Sequence, residues 1–361
     1  MKTHALFLAV ILFSASAVAI GQDQDALDAR PRTDFRGHSA AVTRLAFSHD
    51  GKFLLSAGRD SRMGLWSLET GRLVHMLYPK EKNVSGRSMS RDIPRRVESI
   101  AFSPDGGLIA EAAVESAGEG LVRLWSPKTG KIIKVLARGV DNLRAVAFAP
   151  DGKTAAYNAR ETIGWRHKIV LCDVESGKVT GELAGKKLAA TMLAFSPDGK
   201  ILASAGARKI QLWDVEKREL LHTIEAHEKS IQGIAFSPNG KLLASGADDD
   251  QIRIWRVDAG KMDLEIEAEQ DGVLDVAFTP SGATVASGGK NHTVKLWKTT
   301  SGKKYARLWG HLERVNCIAV SPDGKTLASG SGDTTIALWN LTEPEDADED
   351  EDDEDEWADD D

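Results

Sequence analysis

Three sets of histidine, serine and aspartate recur along the chain with the same spacing, and a tryptophan follows each set. The first set is His38, Ser56 and Asp60, six residues ahead of Trp66. The other two sets are His227, Ser245, Asp249 and Trp255, and His311, Ser329, Asp333 and Trp339. A serine that is activated by a histidine, which an aspartate orients, can carry out nucleophilic acyl transfer. A catalytic centre needs only one such serine, beside a cleft and an oxyanion hole, so three equivalent sets indicate a repeated structural unit.

The repeat is clearest in residues 315–340, where three short apolar runs are separated by two tight turns. Gly310 and His311 precede these runs, a Ser-Pro-Asp-Gly turn begins at Ser321, and the last run closes on Trp339. This arrangement predicts three β-strands joined by two hairpins. Seven copies align on the residue before the first turn, which is Phe47, Phe102, Phe148, Phe195, Phe236, Phe278 or Val320.

A period near 42 residues, a Gly-His opening and a closing tryptophan resemble the WD-repeat family over roughly residues 28–342. The resemblance implies an all-β fold, a seven-bladed β-propeller of four-stranded antiparallel blades. It also implies that the four side chains of each complete set form a buried structural hydrogen-bond network. The fourth strand of a blade would lie between one tryptophan and the next Gly-His pair. Because no such segment follows Trp339, residues around 30–36 are predicted to supply it and to close the ring.

Four copies depart from the complete pattern. The histidine position holds Ile93, Gly139, Lys186 and Glu269 in copies two, three, four and six. The serine position holds Glu111 in copy two and Tyr157 in copy three, where Cys172 also replaces the closing tryptophan. Copy six has Asn291 where aspartate is expected. We therefore expect blades two to four to be the least rigid part of the ring.

The segments that flank the repeats differ in composition from the ring. Residues 1–19, with a basic start, a short apolar run and Ala17-Val18-Ala19, are typical of a signal peptide, with Gly21 as an alternative cleavage point. We therefore predict an exported bacterial-type protein, periplasmic or extracellular, with no membrane span in its mature chain. Residues 20–29 are interpreted as a linker, 30–342 as the propeller and 343–361 as a disordered acidic tail.

The negative net charge of the chain comes from the acidic tail, and the predicted ring is basic. It holds 15 Asp and Glu and neither Lys nor Arg, so the net charge of −8 leaves +7 on the remainder of the chain. One interpretation is a solvating segment that keeps the protein soluble. The other is a segment that binds the basic face of the ring, or a basic partner, with Trp357 as its apolar side chain.

Three lengthened loops are expected on one face of the disc, here called the top face, which carries the Gly-His openings and the hairpins before each tryptophan. They are residues 79–94 between blades one and two, and the hairpins near 114–120 and 158–167. Long loops on a rigid scaffold commonly bind partners, although neutral variation in exposed loops is the alternative. Counting back four and six residues from the aligned positions adds residues at the mouth of the central channel. The predicted partner-binding residues are Arg87, Arg91, Arg95, Arg96, Glu98, Arg144, Arg160, Trp165, Arg166 and Arg314.

These features predict a non-catalytic scaffold, monomeric alone, that binds an unidentified protein or peptide through the top face of blades one to three. The alternatives are polyanion or nucleic-acid binding through residues 80–96, and an enzyme that uses the central channel. Nucleic acid is not expected as a partner, because export and a competing acidic tail both oppose it. No cofactor or metal is expected, since the sequence has neither a His-Glu-x-x-His motif nor a close cysteine pair. Cys172 and Cys317 are expected to be unpaired, small buried residues.

Overall fold

The chain folds as the predicted seven-bladed β-propeller. A computed structural model describes residues 27–29, 31, 33–78, 96–115, 118–160, 167–185 and 190–342. These residues form 29 strands and no helix, in seven antiparallel sheets of four strands, one of which gains a fifth. Accordingly, the described part of the chain contains no helix able to cross a bilayer. The predicted signal peptide and acidic tail lie outside the described residues.

The strands are numbered in chain order, and blades one to seven begin with strands β3, β7, β11, β15, β19, β23 and β27. Blade one contains β3 (Val42–Phe47), β4 (Phe53–Gly58), β5 (Met63–Ser67) and β6 (Arg72–Leu77). Blade two contains β7 (Arg96–Phe102), β8 (Ile109–Val114), β9 (Gly120–Ser126) and β10 (Lys131–Val140). Blade three contains β11 (Val146–Phe148), β12 (Thr154–Arg160), β13 (His167–Asp173) and β14 (Val179–Ala184). Blade four contains β15 (Met192–Phe195), β16 (Ile201–Gly206), β17 (Lys209–Asp214) and β18 (Glu219–Glu225).

The second half of the ring repeats this order with one exchange of strands. Blade five contains β19 (Ile231–Phe236), β20 (Leu242–Ala247), β21 (Gln251–Arg256) and β22 (Lys261–Glu267). Blade six contains β23 (Val273–Phe278), β24 (Thr284–Gly289), β25 (Thr293–Lys298) and β26 (Lys304–Trp309), with β1 (Leu27–Ala29) added at its edge. Blade seven contains β27 (Val315–Val320), β28 (Thr326–Ser331), β29 (Thr335–Asn340) and β2 (Thr33–Arg36).

The turn between the first two strands of a blade is set by its own side chains. In blade seven, the Ser321 hydroxyl donates to Asp323 Oδ1 at 2.5 Å, and the same carboxylate accepts the Lys325 N–H at 3.1 Å. Gly324 follows with φ of 71°, a conformation that glycine adopts without a steric penalty. These hydrogen bonds hold the pKa of Asp323 below its usual range, so the turn keeps its charge at neutral pH.

The ring is closed by contacts between innermost strands. Each of β3, β7, β11, β15, β19 and β23 contacts the innermost strand of the next blade, and β27 contacts β3. Hydrophobic clusters lie at the seams between neighbouring blades. In six of the seven seams the cluster includes the closing tryptophan of the following blade, whereas the seam between blades two and three contains Cys172 instead. Both cysteines are buried and unpaired, as expected.

The strand near the start of the ring closes it, as predicted. Strand β2 pairs antiparallel with β29, placing Phe35 opposite Ile336, and Phe35 stacks on Trp66 of blade one with ring centroids 5.1 Å apart. The predicted linker at 20–29 differs from the structure at its end, because Leu27–Ala29 pairs parallel with β26. The segment before the first blade therefore adds a strand to the outer edges of blades six and seven. Strand β1 covers the edge of β26, and β2 covers the edge of β29.

Candidate functional site

The three complete sets of side chains form the same chain of hydrogen bonds near the top face. In blade five, the Trp255 indole N–H donates to Ser245 Oγ at 2.8 Å, Ser245 Oγ lies 2.7 Å from His227 Nε2, and His227 Nδ1 lies 3.0 Å from Asp249 Oδ1. In blades one and seven the same three distances are 2.8, 2.8 and 3.0 Å. The network therefore recurs as a unit in three of the blades.

The burial of this network, together with the indole N–H that binds its serine oxygen, argues against an activated serine. Although burial raises the pKa of Asp249, hydrogen bonds from the Glu228 N–H and from His227 outweigh it and hold that pKa below its usual range. Burial lowers the pKa of His227, so the ring is neutral and its one N–H faces the carboxylate. Nε2 then accepts from Ser245, while Ser245 Oγ accepts from the indole. Since Ser245 is wholly buried, its hydroxyl is engaged in both directions beneath the protein surface.

Blade six fills the imidazole position with a residue that counting did not identify. Gln270 Oε1 accepts from Ser287 Oγ at 2.6 Å, and Ser287 Oγ accepts the Trp297 N–H at 2.8 Å. The side chain of Glu269, which spacing assigned to this position, is 68% exposed and pairs with Lys295 Nζ at 3.2 Å. The assignment of Glu269 to the imidazole position was therefore wrong by one residue.

Blade two replaces the neutral network with a buried ion pair. Glu111 accepts the Trp125 indole N–H at 2.7 Å and binds Arg123 through Nε and Nη2 at 3.0 and 3.1 Å. Glu111 and Arg123 are only 2% and 1% exposed. A planar bidentate pair of this kind satisfies both charges only while both partners are present.

Blades three and four retain less of the network. Blade four keeps the contact between Trp213 and Ser204 at 2.9 Å. In blade three, Asn158 instead accepts the backbone N–H groups of Arg144 and Ala145, each at 2.8 Å, and donates to the Asn142 carbonyl at 2.8 Å. Asn158 thereby fixes the loop ahead of β11, which places Arg144.

The residues predicted to line the channel mouth include extra residues of β-bulges. The pairing register of the inner strand skips Thr43, Glu98, Gln232, Leu274 and Asn316 in blades one, two, five, six and seven. A bulge leaves one residue out of the ladder and redirects its side chain. Two of these side chains reach the neighbouring blade, since Glu98 accepts from Arg144 and Asn316 Nδ2 donates to the Val42 carbonyl at 2.9 Å.

Glu98 joins two predicted binding residues into one cluster. Its Oε1 accepts from Arg144 Nη1 at 3.0 Å and also from Arg96 Nε. The Glu98 side chain is 10% exposed, against 57% for Arg96 and 37% for Arg144. Two guanidinium groups share one carboxylate, so the cluster carries a net positive charge and has N–H groups directed to solvent. Within the described ranges, neither guanidinium makes another side-chain ion pair.

Strand ends that border the three lengthened loops lie close together. Arg96, at the start of β7, pairs with Val114, at the end of β8, so both residues lie at one end of blade two. Arg160, at the end of β12, bridges Asp141 in the loop that holds Arg144. The contact between Arg144 and Glu98 joins these two ends.

Two family models match repeats of this chain. Residues 29–67, 218–256, 261–298 and 302–340 match the WD domain, G-beta repeat, and residues 166–234 match the anaphase-promoting complex subunit 4 WD40 domain. Together these matches span more than half of the chain and coincide with blades of the structure. The chain belongs to the WD-repeat family.

Curated relatives of this WD-repeat protein share only part of its length. It is 28% identical over 171 residues to Periodic tryptophan protein 2 of Arabidopsis thaliana, covering 47% of this chain and 17% of that protein. It is 29% identical over 175 residues to WD repeat-containing protein SL1-17 of Schistosoma mansoni, covering 48% and 50%. It is 33% identical over 124 residues to human apoptotic protease-activating factor 1, covering 34% and 9%. Across these relatives, the chain spans at most half of their length.

The family assignment supports a coarse statement of function. WD-repeat propellers generally bind protein partners and are generally non-catalytic. The relatives are mostly eukaryotic, so they do not support a bacterial-type assignment, which stays a prediction.

The predicted binding residues of this WD-repeat protein divide into two groups. Arg96, Glu98, Arg144 and Arg160 lie at adjoining ends of blades two and three, and Arg314 lies exposed before β27. Arg87, Arg91, Arg95, Trp165 and Arg166 lie outside the described residues. No cluster of His, Cys, Asp or Glu that could hold a metal occurs within the described ranges.

An acidic group on the inner strand of blade six was missed by sequence reasoning. Asp275 accepts the Ile318 N–H at 2.9 Å and the Val276 N–H at 3.0 Å. Burial raises the pKa of Asp275 to about 6, against the opposing influence of these hydrogen bonds and of Arg44. Arg44 lies three residues before Phe47 and Asp275 lies three residues before Phe278, so counting back three residues instead of four would have found both.

Proposed function

We propose that this WD-repeat protein is an exported, non-catalytic scaffold that binds an acidic segment of a protein partner on the top face of blades one to three. The fold class supports the scaffold role, since propellers of this family generally bind proteins. Export rests on the signal-like composition of residues 1–19.

The observation that carries the proposal is the Arg96–Glu98–Arg144 cluster. The buried carboxylate holds two arginines side by side on adjacent blades, which limits the side-chain entropy that they would lose on binding. The guanidinium N–H groups that do not bind Glu98 are still able to donate, and a planar guanidinium matches the geometry of a carboxylate. An acidic segment is therefore the complement of this part of the mouth.

The neighbouring charges refine the same surface. Arg160 Nη2 pairs with Asp141 Oδ2 at 2.8 Å, so this ion pair adds little net charge to the surface. Arg314 makes no ion pair among the residues that the structure describes, and it adds a positive charge on blade seven. Screening by salt should weaken the attraction of these exposed groups.

Affinity capture tests the proposal. We expect the full chain to capture a protein from the exported fraction of its source cells, and the Arg96→Ala/Arg144→Ala variant to lose it. Arg256→Ala is the matched control, because Arg256 is 58% exposed and lies at the opposite end of its blade. Equal capture by the double variant, or equal loss with Arg256→Ala, would contradict the proposal.

A direct titration separates protein binding from polyanion binding. A synthetic peptide of residues 345–356 of this chain supplies the acidic probe, and heparin supplies the polyanion. We expect the double variant to bind the peptide at least about tenfold more weakly, with affinity that falls as salt rises. If heparin binds and the peptide does not, the polyanion alternative replaces the scaffold proposal.

A further inference from the structure

The attachment point of the acidic tail lies at the end of blade seven opposite the top face. That face, here called the bottom face, carries in each blade the turn between the first two strands and the segment that follows the closing tryptophan. Thr326 of β28 pairs with Asn340 of β29, so the end of β29 lies beside the turn that precedes Thr326. The Leu341 N–H donates to the Lys325 carbonyl of this turn at 2.9 Å. Residues 343–361 are therefore attached to the ring on its bottom face.

Leu341 also places this attachment point beside blade six. It is 8% exposed and belongs to the hydrophobic cluster that contains Ala306 of β26, the outer strand of blade six. Ala306 follows Lys303 by three residues, which is about 10 Å along a strand. A Cβ placed on Gly324 of blade seven would lie 3.5 Å from Pro280 Cδ of blade six, so the turns of these two blades are also neighbours. The bottom turns of blade six thus lie close to the point where the tail begins.

Basic side chains collect on the bottom face of blades five and six. The bottom turns span residues 237–242 and 256–261 in blade five, and 279–284 and 298–303 in blade six. Their five basic residues are here called the bottom patch: Lys241, Arg256, Lys261, Lys298 and Lys303. Four of these side chains belong to exposed residues, and Lys298 is half-buried. Asp258 is the one carboxylate in these turns, all of which are described, so they carry a net charge of +4.

Blade six differs from the other blades because its bottom turns contain no Asp or Glu. Its first turn has Ser281 where most blades have aspartate, and Ser281 Oγ accepts a backbone N–H at 3.1 Å, as the aspartate does elsewhere. In blade one, Lys52 lies 3.7 Å from Asp50 of the same turn. Lys298 and Lys303 have no carboxylate of this kind in their own turns. The equivalent turns of blades three and four contain more acidic than basic residues, so the positive charge is confined to one side of the ring.

The tail is complementary in charge to this patch and begins beside it. It contains 15 Asp and Glu and neither Lys nor Arg, so its side chains repel one another unless cations are near. An extended chain spans about 3.3–3.6 Å per residue, so residues 343–349 reach about 24 Å from Thr342. This reach exceeds the length of a six-residue strand, which is about 20 Å. The Arg96–Glu98–Arg144 cluster lies on the opposite face, and a tethered segment has a lower effective concentration at such a distant site.

We propose that residues 343–361 dock on the bottom patch of the same chain, through ion pairs between their carboxylates and the Lys and Arg side chains of blades five and six. Each exposed ion pair is weak, so the contact depends on several pairs together and on the tether, and it is sensitive to salt. Docking on the bottom face leaves the Arg96–Glu98–Arg144 cluster accessible to an acidic partner. The inference does not depend on the proposed function, because the two concern opposite faces.

Cleavage of the tail by a glutamyl endopeptidase tests this contact in the full-length chain. We expect Lys298→Ser/Lys303→Ser to be cleaved within residues 343–361 about three- to tenfold faster than wild type at low ionic strength, because ion pairs that protect the tail are lost. Lys128→Ser/Lys131→Ser is the matched control, since it removes two exposed lysines from the equivalent turn of blade two, and it should be cleaved at the wild-type rate. At about 1 M salt the three proteins should be cleaved equally.

Two outcomes of this experiment would overturn the proposal. One is equal cleavage of wild type and Lys298→Ser/Lys303→Ser at low ionic strength. The other is faster cleavage of Arg96→Ala/Arg144→Ala, because the tail would then dock on the top face. Neither outcome bears on whether a separate acidic partner binds the Arg96–Glu98–Arg144 cluster.

Carbodiimide cross-linking, mapped by mass spectrometry, identifies the lysines that lie beside the tail carboxylates. An equal mixture of isotopically labelled and unlabelled full-length chains distinguishes contacts within one chain from contacts between copies. We expect cross-links from residues 343–361 to Lys298 and Lys303 within chains of a single label. Cross-links that join labelled to unlabelled chains, or that involve only lysines outside the bottom patch, would overturn the proposal.

Discussion

Blades five and two bury a tryptophan at the same position and satisfy its N–H in opposite ways. Blade five uses a neutral chain of Ser245 and His227 that ends on an aspartate near the surface. Blade two places a full carboxylate, Glu111, against Trp125 and balances it with Arg123. The position therefore requires an acceptor for the indole, and the residue that supplies it can vary if its own charge and hydrogen bonds are satisfied.

The largest expected effect follows from breaking the pair in blade two. Glu111→Ala removes the bidentate partner of buried Arg123 and the acceptor of the Trp125 indole, so the free energy of unfolding should fall by about 3–5 kcal/mol. Chemical denaturation measures this change. The double variant Glu111→Ser/Arg123→Ala recreates the Ser329 and Ala337 arrangement of blade seven and should recover most of the loss. A double variant as unstable as Glu111→Ala would show that the two blades are not interchangeable.

A smaller difference should separate blade five from blade four. Ser245→Ala leaves His227 Nε2 and the Trp255 indole N–H without their shared partner, and we expect a loss of about 2–3 kcal/mol in the free energy of unfolding. Ser204→Ala is the matched control, because its hydroxyl is the acceptor for Trp213 alone, and it should cost about 1–2 kcal/mol. Equal losses in thermal or chemical unfolding would mean that the histidine adds nothing to the network.

The third comparison concerns pH and the inner strand of blade six. The pKa of Asp275 is raised to about 6, above the value near 3.9 of an unfolded chain, so the folded protein holds this proton more tightly. The stabilisation is complete below about pH 4 and is lost as the pH rises through 6. Asp275→Asn removes the titration, so its stability relative to wild type should improve by about 2 kcal/mol between pH 4 and pH 8. A difference that does not change with pH, measured by denaturation at both values, would contradict this assignment.

Much of the architecture could be predicted because the strands and turns of each blade depend on residues that are close together in sequence. In blade seven these features are the turn at Ser321 and Gly324, the alternation of apolar residues before it, and the buried Trp339. Their spacing along the chain predicts strands and hairpins. The closing strand could also be predicted, because residues 32–36 precede a Gly-His pair, as the fourth strand of a blade does, and no such segment follows Trp339.

Features that depend on contacts between blades could not be predicted in the same way. Gln270 reaches the imidazole position because Glu269 and Asp271 adopt positive φ values of 50° and 59°, which alter the path of the loop ahead of β23. Strand β1 is three residues long and pairs at a sheet edge, which is too short a segment for an alternating pattern to predict. The sharing of Glu98 by two arginines requires blade three to pack against blade two, which brings Arg144 to the carboxylate.

The pairing of β2 with β29 has a consequence for how the molecule is made. Asp34 lies opposite Ala337, roughly 300 residues further along the chain. A ribosome produces the earlier of these strands long before its partner exists, so the ring cannot close until nearly all of the repeats have been synthesised. Such distant pairing is slow to form, and until it does, Phe35 is without its strand partner Ile336. Completion of the disc is thus a late event in biosynthesis, when the nascent polypeptide is exposed to chaperones and proteases.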